Sequence, residues 1–510
     1  MLNSLIGVAL EKIDWTSFLN CERGLLIAPA GHGKTTAIAD CLLQCPQNTC
    51  HLVLTHTHAG IASLRIKFKE KNVPANRYQL ETITGFAQQY VLSFLGNSQL
   101  PQENDKEYFP RVVELCTSLL ESKVVQMILK ASYMSVFVDE YQDCSCNQHQ
   151  LVLQIGKNMP VHLLGDPLQG IFSFEKTPMV NLDTDLNGFV RFNLLVHPWR
   201  WDKTNKSLGN KILSMRKNLE NHLPIDLTRM AGDGLYVEYY NPKVNMYDKN
   251  FLMTLRKIVK FHISESFLVI YPSYHEKNKY GHDKLRGILS DRIELKSVID
   301  FGNYGFKLLD AIDAKAFYSS ASKIDEFINK CQQGRHIAKI KWMYEIMETL
   351  HFSKTELKLW FNPDNNSLKK KLKDKAIIGK QLKTLVECYD NSPCLQSFME
   401  ILNFTYELTS SKCQYKDIYY EIKHTSLLAM SENLSMLEAM RQRKNQIRHM
   451  GRRVEGHCIG TTLLTKGLEF DTVVLYKADK FEDAKNFYIA ISRARKKLIL
   501  ITSQSVIHFG

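Results

Sequence analysis

The 510-residue sequence predicts an α/β protein with two mostly parallel sheets, the second of them split by a helical insertion. Over residues 1–190, short β-rich runs alternate with helical runs, which is typical of parallel strands joined by helices on both faces of a sheet. A second alternating region begins near VRFNLLV, gives way to helical texture, and returns at GHCIGTTLL. The expected segments are therefore residues 1–190, 191–304, 305–454 and 455–510.

The expected strands are short runs rich in apolar and β-branched residues. In the first region they are GLLIA, HLVLT, YQLETI, SVFVDE and VHLLGD. In the second region they are VRFNLLV, GLYVEYY, SFLVIYP, GHCIGTTLL, DTVVLY and KLILITS. Between residues 305 and 454 only Pro363 and Pro393 interrupt a texture of long helices, so this stretch is expected to form the insertion.

Composition argues against several classes of protein. With 44% hydrophobic and 23% charged residues, the chain is typical of soluble globular proteins. No apolar run approaches the ~20 residues of a membrane span, and LIGVAL near the N-terminus lacks the basic leader of a signal peptide. We therefore expect a cytoplasmic protein that does not enter membranes. The twelve cysteines form no pair of C-x-x-C units, which predicts reduced thiols rather than a metal site.

The chain is strongly basic, with a formal net charge of +13 at pH 7. This charge favours an acidic partner, and nucleic acid is the commonest one. The alternative is a basic surface that is merely solvated.

A glycine-rich loop, APAGHGKTT, spans residues 28–36 between an apolar run and a helical run. This is the context of a P-loop, in which backbone N–H groups and a helix N-terminus face the phosphates of a nucleotide. Lys34 is expected to reach the β- and γ-phosphates, and the Thr35 hydroxyl to hold Mg²⁺. Ala28 stands where the first glycine is usual. The expected nucleotide-binding residues of the loop are Ala28, Gly31, His32, Gly33, Lys34, Thr35 and Thr36.

Two further expected strands end in polar residues. SVFVDEYQD delivers Asp139 and Glu140 to the carboxyl edge of the sheet, where open α/β sheets bind their ligands. Asp139 suits the Mg²⁺ shell opposite Thr35, and Glu140 can polarise the attacking water. The strand VHLLGD is followed by Gln169, which is placed to bond the γ-phosphate or that water.

Two arginines from distant parts of the chain are candidates for the same reaction. Arg200 lies in HPWRW and Arg493 in NFYIAISRARKK. Phosphoryl transfer spreads negative charge over the γ-phosphate oxygens, and an arginine from another domain can stabilise that charge. The alternative for each is an ordinary surface ion pair.

These blocks, in this order, resemble the UvrD/Rep/PcrA-like group of superfamily 1 DNA helicases. The resemblance is good over residues 20–215 and 456–503 and poor between them. It rests on APAGHGKTT, LTHTHAGIASLR, ETITGFA, VDEYQD, GDPLQGIF, PWRW, TTLLTKGLEFD and FYIAISRAR.

The resemblance implies two RecA-like domains with ATP and Mg²⁺ in the cleft between them. It assigns Lys34, Thr35, Asp139, Glu140 and Gln169 to hydrolysis from the first domain. It assigns Arg200 and Arg493 to the same reaction from the second domain, and Glu469 to the ribose side of the nucleotide. Trp199 is expected to stack on the base.

The resemblance also implies contacts with single-stranded DNA. Thr55, Thr57, Thr82 and Thr84 fall where the family contacts the strand, and Phe174 replaces a tryptophan on which a base stacks. Base–aromatic stacking is worth about 1–3 kcal/mol and tolerates any sequence. Two basic runs, residues 365–384 and 441–453, could bind phosphates, although one basic run is usually a solvated helix face. The second run is favoured because it adjoins TTLLTKGLEFD, and its expected contacts are Arg448, Arg452 and Arg453.

The sequence departs from the family pattern in several places. Residues 1–30 contain no glutamine to read adenine, and Thr36 replaces an arginine that usually flanks the base. Leu463 replaces a histidine, and His56 and Ala59 alter the family's TFTNK block, in which Thr55 and Thr57 lie. These last three changes concern coupling to DNA more than hydrolysis. The accessory domain that large members carry between ETITGFA and VDEYQD is missing or minimal.

Two functions from different classes follow. The first is an ATP-driven helicase or translocase on single-stranded or partly duplex DNA, with 3′-to-5′ direction implied by the resemblance and a role in DNA repair or antiphage defence. The second is a regulatory ATPase whose nucleotide state controls a separate nuclease subunit without processive unwinding. Short members resemble the helicase-like partner of Gabija-type antiphage systems, which is why a nuclease is the expected protein partner.

Overall fold

The computed structural model describes residues 13–101, 105, 107–171, 178–243, 249–277, 282–309, 314–372, 375–409, 416–450, 454 and 456–509. The chain divides into two compact units. The first unit consists of Met1–Asp310 with Met450–Gly510, and the second unit consists of Ala311–His449.

Six parallel strands form the first sheet. They are β1 Arg23–Ile27, β2 His51–Thr55, β3 Tyr78–Thr82, β4 Val136–Val138, β5 Val161–Gly165 and β6 Val190–Phe192. Their order across the sheet is β3-β2-β4-β5-β1-β6. The first five coincide with strands expected from the sequence. The α/β class with parallel sheets is thereby confirmed.

The sixth strand corrects one expectation. VRFNLLV was expected to open the second alternating region, but Val190–Phe192 pairs in parallel with β1, Gly24 lying opposite Val190. This strand therefore closes the first sheet. Composition alone does not distinguish the last strand of one sheet from the first strand of the next.

Helices cover both faces of the first sheet. They are α1 Thr16–Leu19, α2 Lys34–Gln44, α3 His58–Glu70, α4 Ile83–Leu95, α5 Tyr108–Leu119, α6 Lys123–Ser132 and α7 Cys146–Ile155. Successive side chains of a strand point to opposite faces, so each strand supplies two cores. Leu52 and Leu54 of β2 belong to the core that contains Phe86 of α4, whereas Val53 belongs to the core that contains Ile38 of α2.

The strand register brings three loops together at the carboxyl edge of the first sheet. Ile27 lies opposite Gly165, so the loop after β1 adjoins the loop after β5. Val138 lies opposite Leu163, so the residues after β4 adjoin the other side of the β5 loop. The carboxyl edge of a parallel sheet is therefore where the P-loop, Asp139 and Gln169 meet.

The remaining strands follow in chain order. They are β7 Ile225–Asp226, β8 Leu235–Tyr239, β9 Phe267–Ile270, β10 Tyr274–Lys277, β11 Asp283–Arg286, β12 Lys307–Leu308, β13 Phe361–Asn362, β14 Ser367–Leu368, β15 His457–Gly460, β16 Phe470–Leu475, β17 Ala494–Thr502 and β18 Val506–Ile507. Six of them form the second sheet, in the order β12-β15-β9-β16-β17-β8, with every neighbouring pair parallel. The others form small antiparallel pairs, β7 with β18, β10 with β11, and β13 with β14.

Five further helices lie between the first sheet and the second unit in the chain: α8 Trp199–Asp202, α9 Lys206–Glu220, α10 Leu227–Met230, α11 Lys249–His262 and α12 Leu289–Ile299. The next seven are α13 Ala314–Gln332, α14 Lys339–Thr349, α15 Lys354–Trp360, α16 Ala376–Asn391, α17 Leu395–Thr409, α18 Lys416–Glu432 and α19 Met436–Met450. The last two are α20 Thr462–Thr465 and α21 Ala484–Ile491. Helices α9 and α21 share a core with one face of the second sheet, and α11 and α12 share a core with the other.

The second unit has a hydrophobic core of its own, in which the rings of Phe327 and Tyr389 stack with centroids 5.3 Å apart. In the chain this unit lies between β12 and β15, which are neighbours in the second sheet. Helices were expected throughout, but the chain forms the short β13–β14 hairpin around Pro363. No helix in the described ranges has the length and apolar character needed to cross a bilayer.

Candidate active site between the two sheets

A cavity of about 290 Å³ lies where loops of the two sheets meet. From the first sheet it is lined by the P-loop, α3 with its N-cap Thr57, the residues after β4, and Gln169. The residues that precede α9, β16 and β17 line it from the second sheet. The lining residues are Pro29, Ala30, Gly31, Gly33, Lys34, Thr35, Thr36, His56, Thr57, Gly60, Ser63, Lys67, Asp139, Glu140, Asp143, Gln169, Trp199, Arg200, Lys466, Gly467, Glu469 and Arg493.

The P-loop owes its shape to two glycines with positive φ, Gly31 at 75° and Gly33 at 92°. Residues with a side chain rarely adopt this conformation. There is also little room for one, since a Cβ on Gly31 would lie 2.8 Å from the Cβ of Arg200. Helix α2 begins immediately afterwards at Lys34, so the free N–H groups of its first turn lie at the P-loop. The Lys34 ammonium donates to the carbonyl oxygen of Ala28 at 2.9 Å.

Three other P-loop residues differ in whether they line the cavity: Ala28, His32 and Thr36. Ala28 is buried outside the cavity lining and contributes its carbonyl oxygen to Lys34. His32 is also buried, its Nδ1 donates to the Ala30 carbonyl at 3.0 Å, and burial lowers its pKa to about 4. A neutral imidazole therefore supports the loop at physiological pH. Thr36 lines the cavity.

Thr35 and Asp139 face each other across the cavity floor, with the Thr35 hydroxyl donating to a carboxylate oxygen of Asp139 at 3.4 Å. Hydroxyl and carboxylate oxygens are the hard ligands that Mg²⁺ prefers. Within the described ranges, no cluster of three or more His, Cys, Asp or Glu side chains is arranged to hold a metal. Two protein oxygens suit Mg²⁺, which usually keeps several waters and binds substrate phosphates as well.

Glu140 sits in a constrained backbone position. Its φ of 53° is uncommon for a residue with a side chain, and such outliers often occur at active sites. The Gln142 amide donates to its carboxylate at 2.5 Å. Burial pulls the pKa of Glu140 upward, but Lys34 and Lys466 together with other donors hold it below its usual value. Burial and the charge of Glu140 raise the pKa of neighbouring Asp139. The neighbouring cations therefore favour the ionised form of Glu140.

Gln169 and Arg493 connect the two sheets inside the cavity. The Gln169 side-chain oxygen accepts from the Arg493 guanidinium at 3.4 Å, and its amide nitrogen donates to Asp166 at 2.7 Å. Arg493 is only 2% exposed, and its hydrogen bonds within the described chain all go to neutral acceptors. Burial lowers the pKa of Arg493 to about 10, so it stays protonated at neutral pH. A buried cation without a bonded carboxylate is suited to an anionic ligand.

Arg200 lies opposite, with a guanidinium nitrogen 2.8 Å from a carboxylate oxygen of Glu469. The charge of Arg200 lowers the pKa of that carboxyl. The Nε atom of Arg200 is buried without a hydrogen-bond partner among the described residues. Trp199 is 43% exposed and its indole lies over Gly33, where a Cβ would be 3.2 Å from Trp199 Cδ1. The indole thus borders the P-loop at Gly33.

Sequence reasoning missed a second cation bridge, although both partners lie in motifs that were recognised. Lys466, just before β16, pairs with both carboxylate oxygens of Asp143 at 2.5 Å and also donates to the Gln169 carbonyl oxygen. Burial raises the pKa of Asp143 to about 7, against the opposing effect of Lys466. The spacing of the motif could not show which of its charged residues reaches the other sheet.

A further missed network lies beneath Gln169. Arg216 of α9 pairs with the fully buried Asp166 at 2.8 Å, and its guanidinium lies 4.9 Å from the ring centroid of Tyr488. The Tyr488 hydroxyl accepts a hydrogen bond from the Ala30 N–H of the P-loop at 3.0 Å. Arg216 occurs in an ordinary amphipathic helix, so no local sequence signal marks it.

The residues expected to contact DNA are not brought together in this cavity. Thr57 lines it and caps α3 by accepting from Gly60 N–H at 3.0 Å. Thr55 is fully buried beneath Gly60 and in this arrangement offers DNA no surface. Thr82 is buried as the cap of α4, and Thr84 is half-buried beside it. Phe174, Arg452, Arg453 and the side chain of Arg448 lie outside the described residues.

Comparison with known families found two partial matches to helicase domains. Residues 47–189 match a model described as the UvrD/REP helicase N-terminal domain, and residues 392–502 match one described as the viral superfamily 1 RNA helicase core domain. The two matches confirm the resemblance to UvrD-like superfamily 1 helicases. Helicases of these families hydrolyse ATP and bind nucleic acid, so both properties are implied for this chain. No curated protein matches the chain.

Proposed function

We propose that this protein is an ATP-driven motor that moves along single-stranded DNA. The observation that carries the proposal is one cavity in which a P-loop and three carboxylates from the first sheet face three cations from the second sheet. An ATPase whose site is shared between two sheets can couple hydrolysis to relative motion of those sheets. That coupling is the requirement for a translocase.

In this proposal the first sheet binds the triphosphate. The N–H groups at the start of α2 and the Lys34 ammonium bind the β- and γ-phosphates. Lys34 exchanges its carbonyl partners in the loop for phosphate oxygens, which are stronger acceptors because they are charged. Trp199 stacks on the base, and Glu469 lies on the ribose side. Thr35 and Asp139 would hold Mg²⁺, which neutralises phosphate charge when it is bound.

Glu140 is the proposed general base. As the water oxygen bonds to the γ-phosphorus, the Glu140 carboxylate accepts a proton from that water. The bond between the γ-phosphorus and the β,γ-bridging oxygen breaks, and ADP and phosphate are released. The neighbouring cations keep Glu140 ionised for this role. Gln169 is placed to orient the water, because its amide is fixed by Asp166 on one side and Arg493 on the other.

Arg200 and Arg493 supply the charge that the transition state needs. Negative charge grows on the γ-phosphate oxygens and the leaving oxygen, and a buried guanidinium stabilises it without reorganisation of solvent. Because both arginines come from the second sheet, the site is complete only when the two sheets are together.

Helix α3 is the proposed route from nucleotide to nucleic acid. Thr57, Gly60, Ser63 and Lys67 line the nucleotide cavity, from the N-cap of the helix to its last turn. Thr57, the N-cap of α3, is also an expected contact of the DNA strand, so a shift of α3 on hydrolysis would be felt at both places. The resemblance also supports 3′-to-5′ movement and work in DNA repair or in antiphage defence beside a separate nuclease.

Steady-state ATPase measurements with and without nucleic acid test the proposal. We expect single-stranded DNA to stimulate turnover strongly, and a fluorescent partly duplex DNA with a 3′ tail to be unwound with ATP. Single-stranded RNA belongs in the same series, because one matching family is described as RNA helicases. Turnover that is indifferent to DNA and RNA alike would contradict the motor. It would favour the regulatory ATPase. The altered residues His56, Ala59 and Leu463 are consistent with that alternative.

Two variants separate the proposed DNA contacts. Phe174→Ala should weaken DNA binding by about 1–3 kcal/mol with a nearly unchanged salt dependence, because it removes stacking. Replacing Arg448, Arg452 and Arg453 by glutamine should weaken binding of all sequences and flatten the salt dependence, because it removes phosphate contacts. The matched control replaces three exposed lysines of the other basic run by glutamine, namely Lys369, Lys370 and Lys375. This control removes the same amount of positive charge. Equal losses in both charge variants would point to net charge rather than to a site.

A further inference from the structure

Arg216 stands at a junction of both sheets, away from the residues expected to touch ATP. It lies on α9, it is 5% exposed, and it reaches the carboxylate of Asp166 at 2.8 Å. Asp166 follows β5 of the first sheet and is completely buried. A buried carboxylate is costly unless it is paired and hydrogen-bonded, so this contact holds the loop after β5 against α9.

The same carboxylate fixes Gln169. The oxygen of Asp166 that pairs with Arg216 also accepts from the Gln169 amide nitrogen at 2.7 Å. A planar amide held at its nitrogen can present only its oxygen to the cavity, where Arg493 donates to it. The orientation of Gln169 therefore depends on where Arg216 holds Asp166.

Arg216 has a second contact that leads to the P-loop. Its guanidinium lies 4.9 Å from the ring centroid of Tyr488, a distance at which a cation is attracted to the ring. The Tyr488 hydroxyl accepts from the Ala30 N–H at 3.0 Å, and Tyr488 is 1% exposed. Arg493 follows Tyr488 on the same segment. One side chain thus contacts both the loop that orients Gln169 and the ring that supports the P-loop.

We propose that Arg216 is a positioning residue that aligns Gln169 for hydrolysis through Asp166 and couples this alignment to the P-loop through Tyr488. The inference rests on the proposed ATPase site and adds a residue to it. Arg216 does not line the cavity and does not touch the nucleotide. Its loss should therefore lower kcat while nucleotide binding is nearly retained.

The test compares Arg216→Met with the wild type and with Glu220→Gln. Glu220 is the exposed partner of Arg216, 2.8 Å from its other guanidinium nitrogen and 43% exposed, so its removal is a matched control. We expect Arg216→Met to lower kcat by up to about 100-fold, as misplacement of a reacting group can. Binding of a fluorescent ATP analogue with Mg²⁺ should change far less, and Glu220→Gln should match the wild type in both. A wild-type kcat in folded Arg216→Met would overturn the inference.

Since Arg216→Met leaves Asp166 buried and unpaired, the variant Arg216→Met with Asp166→Asn removes both charges and protects the fold. We expect this double variant to melt near the wild type, to bind the nucleotide and to keep the low kcat. Recovery of the wild-type kcat in the double variant would show that the pair only stabilises the fold, and would overturn the inference. A wild type that hydrolyses no ATP would overturn the proposed function and the inference together, whereas an active wild type with an unaffected Arg216→Met overturns the inference alone.

Discussion

The two sheets present opposite edges to one cavity. The first sheet presents the residues that follow its strands, with the P-loop after β1, Asp139 and Glu140 after β4, and Gln169 after β5. The second sheet presents residues that precede its strands, with Glu469 before β16 and Arg493 before β17. The first edge supplies a helix N-terminus, Lys34 and three carboxylates. The second edge supplies three side-chain cations and the carboxylate of Glu469.

This difference follows from helix geometry. At the carboxyl edge of the first sheet a helix begins, and its free N–H groups suit phosphate. At the amino edge of the second sheet α21 ends, and the negative end of its dipole suits a cation. Arg493 lies just beyond that end and donates to the Ile489 carbonyl oxygen at 2.9 Å. In the proposed function the first sheet therefore binds the triphosphate and supplies the general base, whereas the second sheet supplies the arginines that stabilise the transferring phosphate.

Removing Arg493, the buried cation of the second sheet, should have the largest effect on the difference between the two sheets. Arg493→Ala is expected to lower kcat by about 1000-fold, because an arginine that stabilises transferring phosphate is typically worth that or more. Arg495→Ala is the matched control, since Arg495 lies two residues away and pairs with Asp471. Steady-state ATPase assays measure both. Similar losses in the two variants would assign Arg493 a structural role.

The ion pair between Lys466 and Asp143, which joins the two sheets, should contribute to the free energy of unfolding. Lys466→Met leaves the buried Asp143 unpaired, and losing one partner of a buried ion pair typically costs about 3–5 kcal/mol of unfolding free energy. Adding Asp143→Asn should restore much of this loss. Urea unfolding followed by tryptophan fluorescence gives the values. A double variant no more stable than Lys466→Met would mean that the pairing is not what holds these loops.

Glu140 tests the catalytic half of the first sheet. Glu140→Gln keeps the shape of the side chain but removes the proton acceptor, so kcat should fall by about 100-fold or more. Nucleotide affinity should remain, whereas Lys34→Ala should lose affinity itself. Turnover and binding of a fluorescent ATP analogue distinguish the two. Near-wild-type turnover of Glu140→Gln would remove Glu140 from the role of base.

Trp199 should give the smallest effect. Trp199→Ala removes the ring expected to stack on the base and should raise KM for ATP by about tenfold at an unchanged kcat, since stacking is worth about 1–3 kcal/mol. Trp199→Phe keeps an aromatic face and should recover most of the affinity. If KM is insensitive to both changes, the base lies elsewhere.

Most of the site residues that could be predicted were recognised from short sequence motifs. Lys34, Asp139 and Gln169 each follow an apolar run at a fixed offset, and parallel strands bring such offsets to one edge. Arg493 was one of two arginines proposed for phosphoryl transfer, but its contact with Gln169 could not be predicted, because nothing near it in the chain indicates what it faces. Arg216 and Tyr488 could not be predicted, since their contacts join residues distant in the chain. VRFNLLV was placed in the wrong sheet because a strand's partner depends on register, which composition does not encode.

The central claim is that the first sheet binds the nucleotide while the second sheet stabilises the transition state. Binding of ADP alone and of ADP with aluminium fluoride, a mimic of the transferring phosphate, tests it most directly in the wild type, Lys34→Ala and Arg493→Ala. We expect the wild type to prefer the mimic by about 100-fold or more, Lys34→Ala to bind both weakly, and Arg493→Ala to bind ADP normally but to lose the preference. If Arg493→Ala keeps the wild-type preference, the second sheet does not act in the transition state and the account is contradicted.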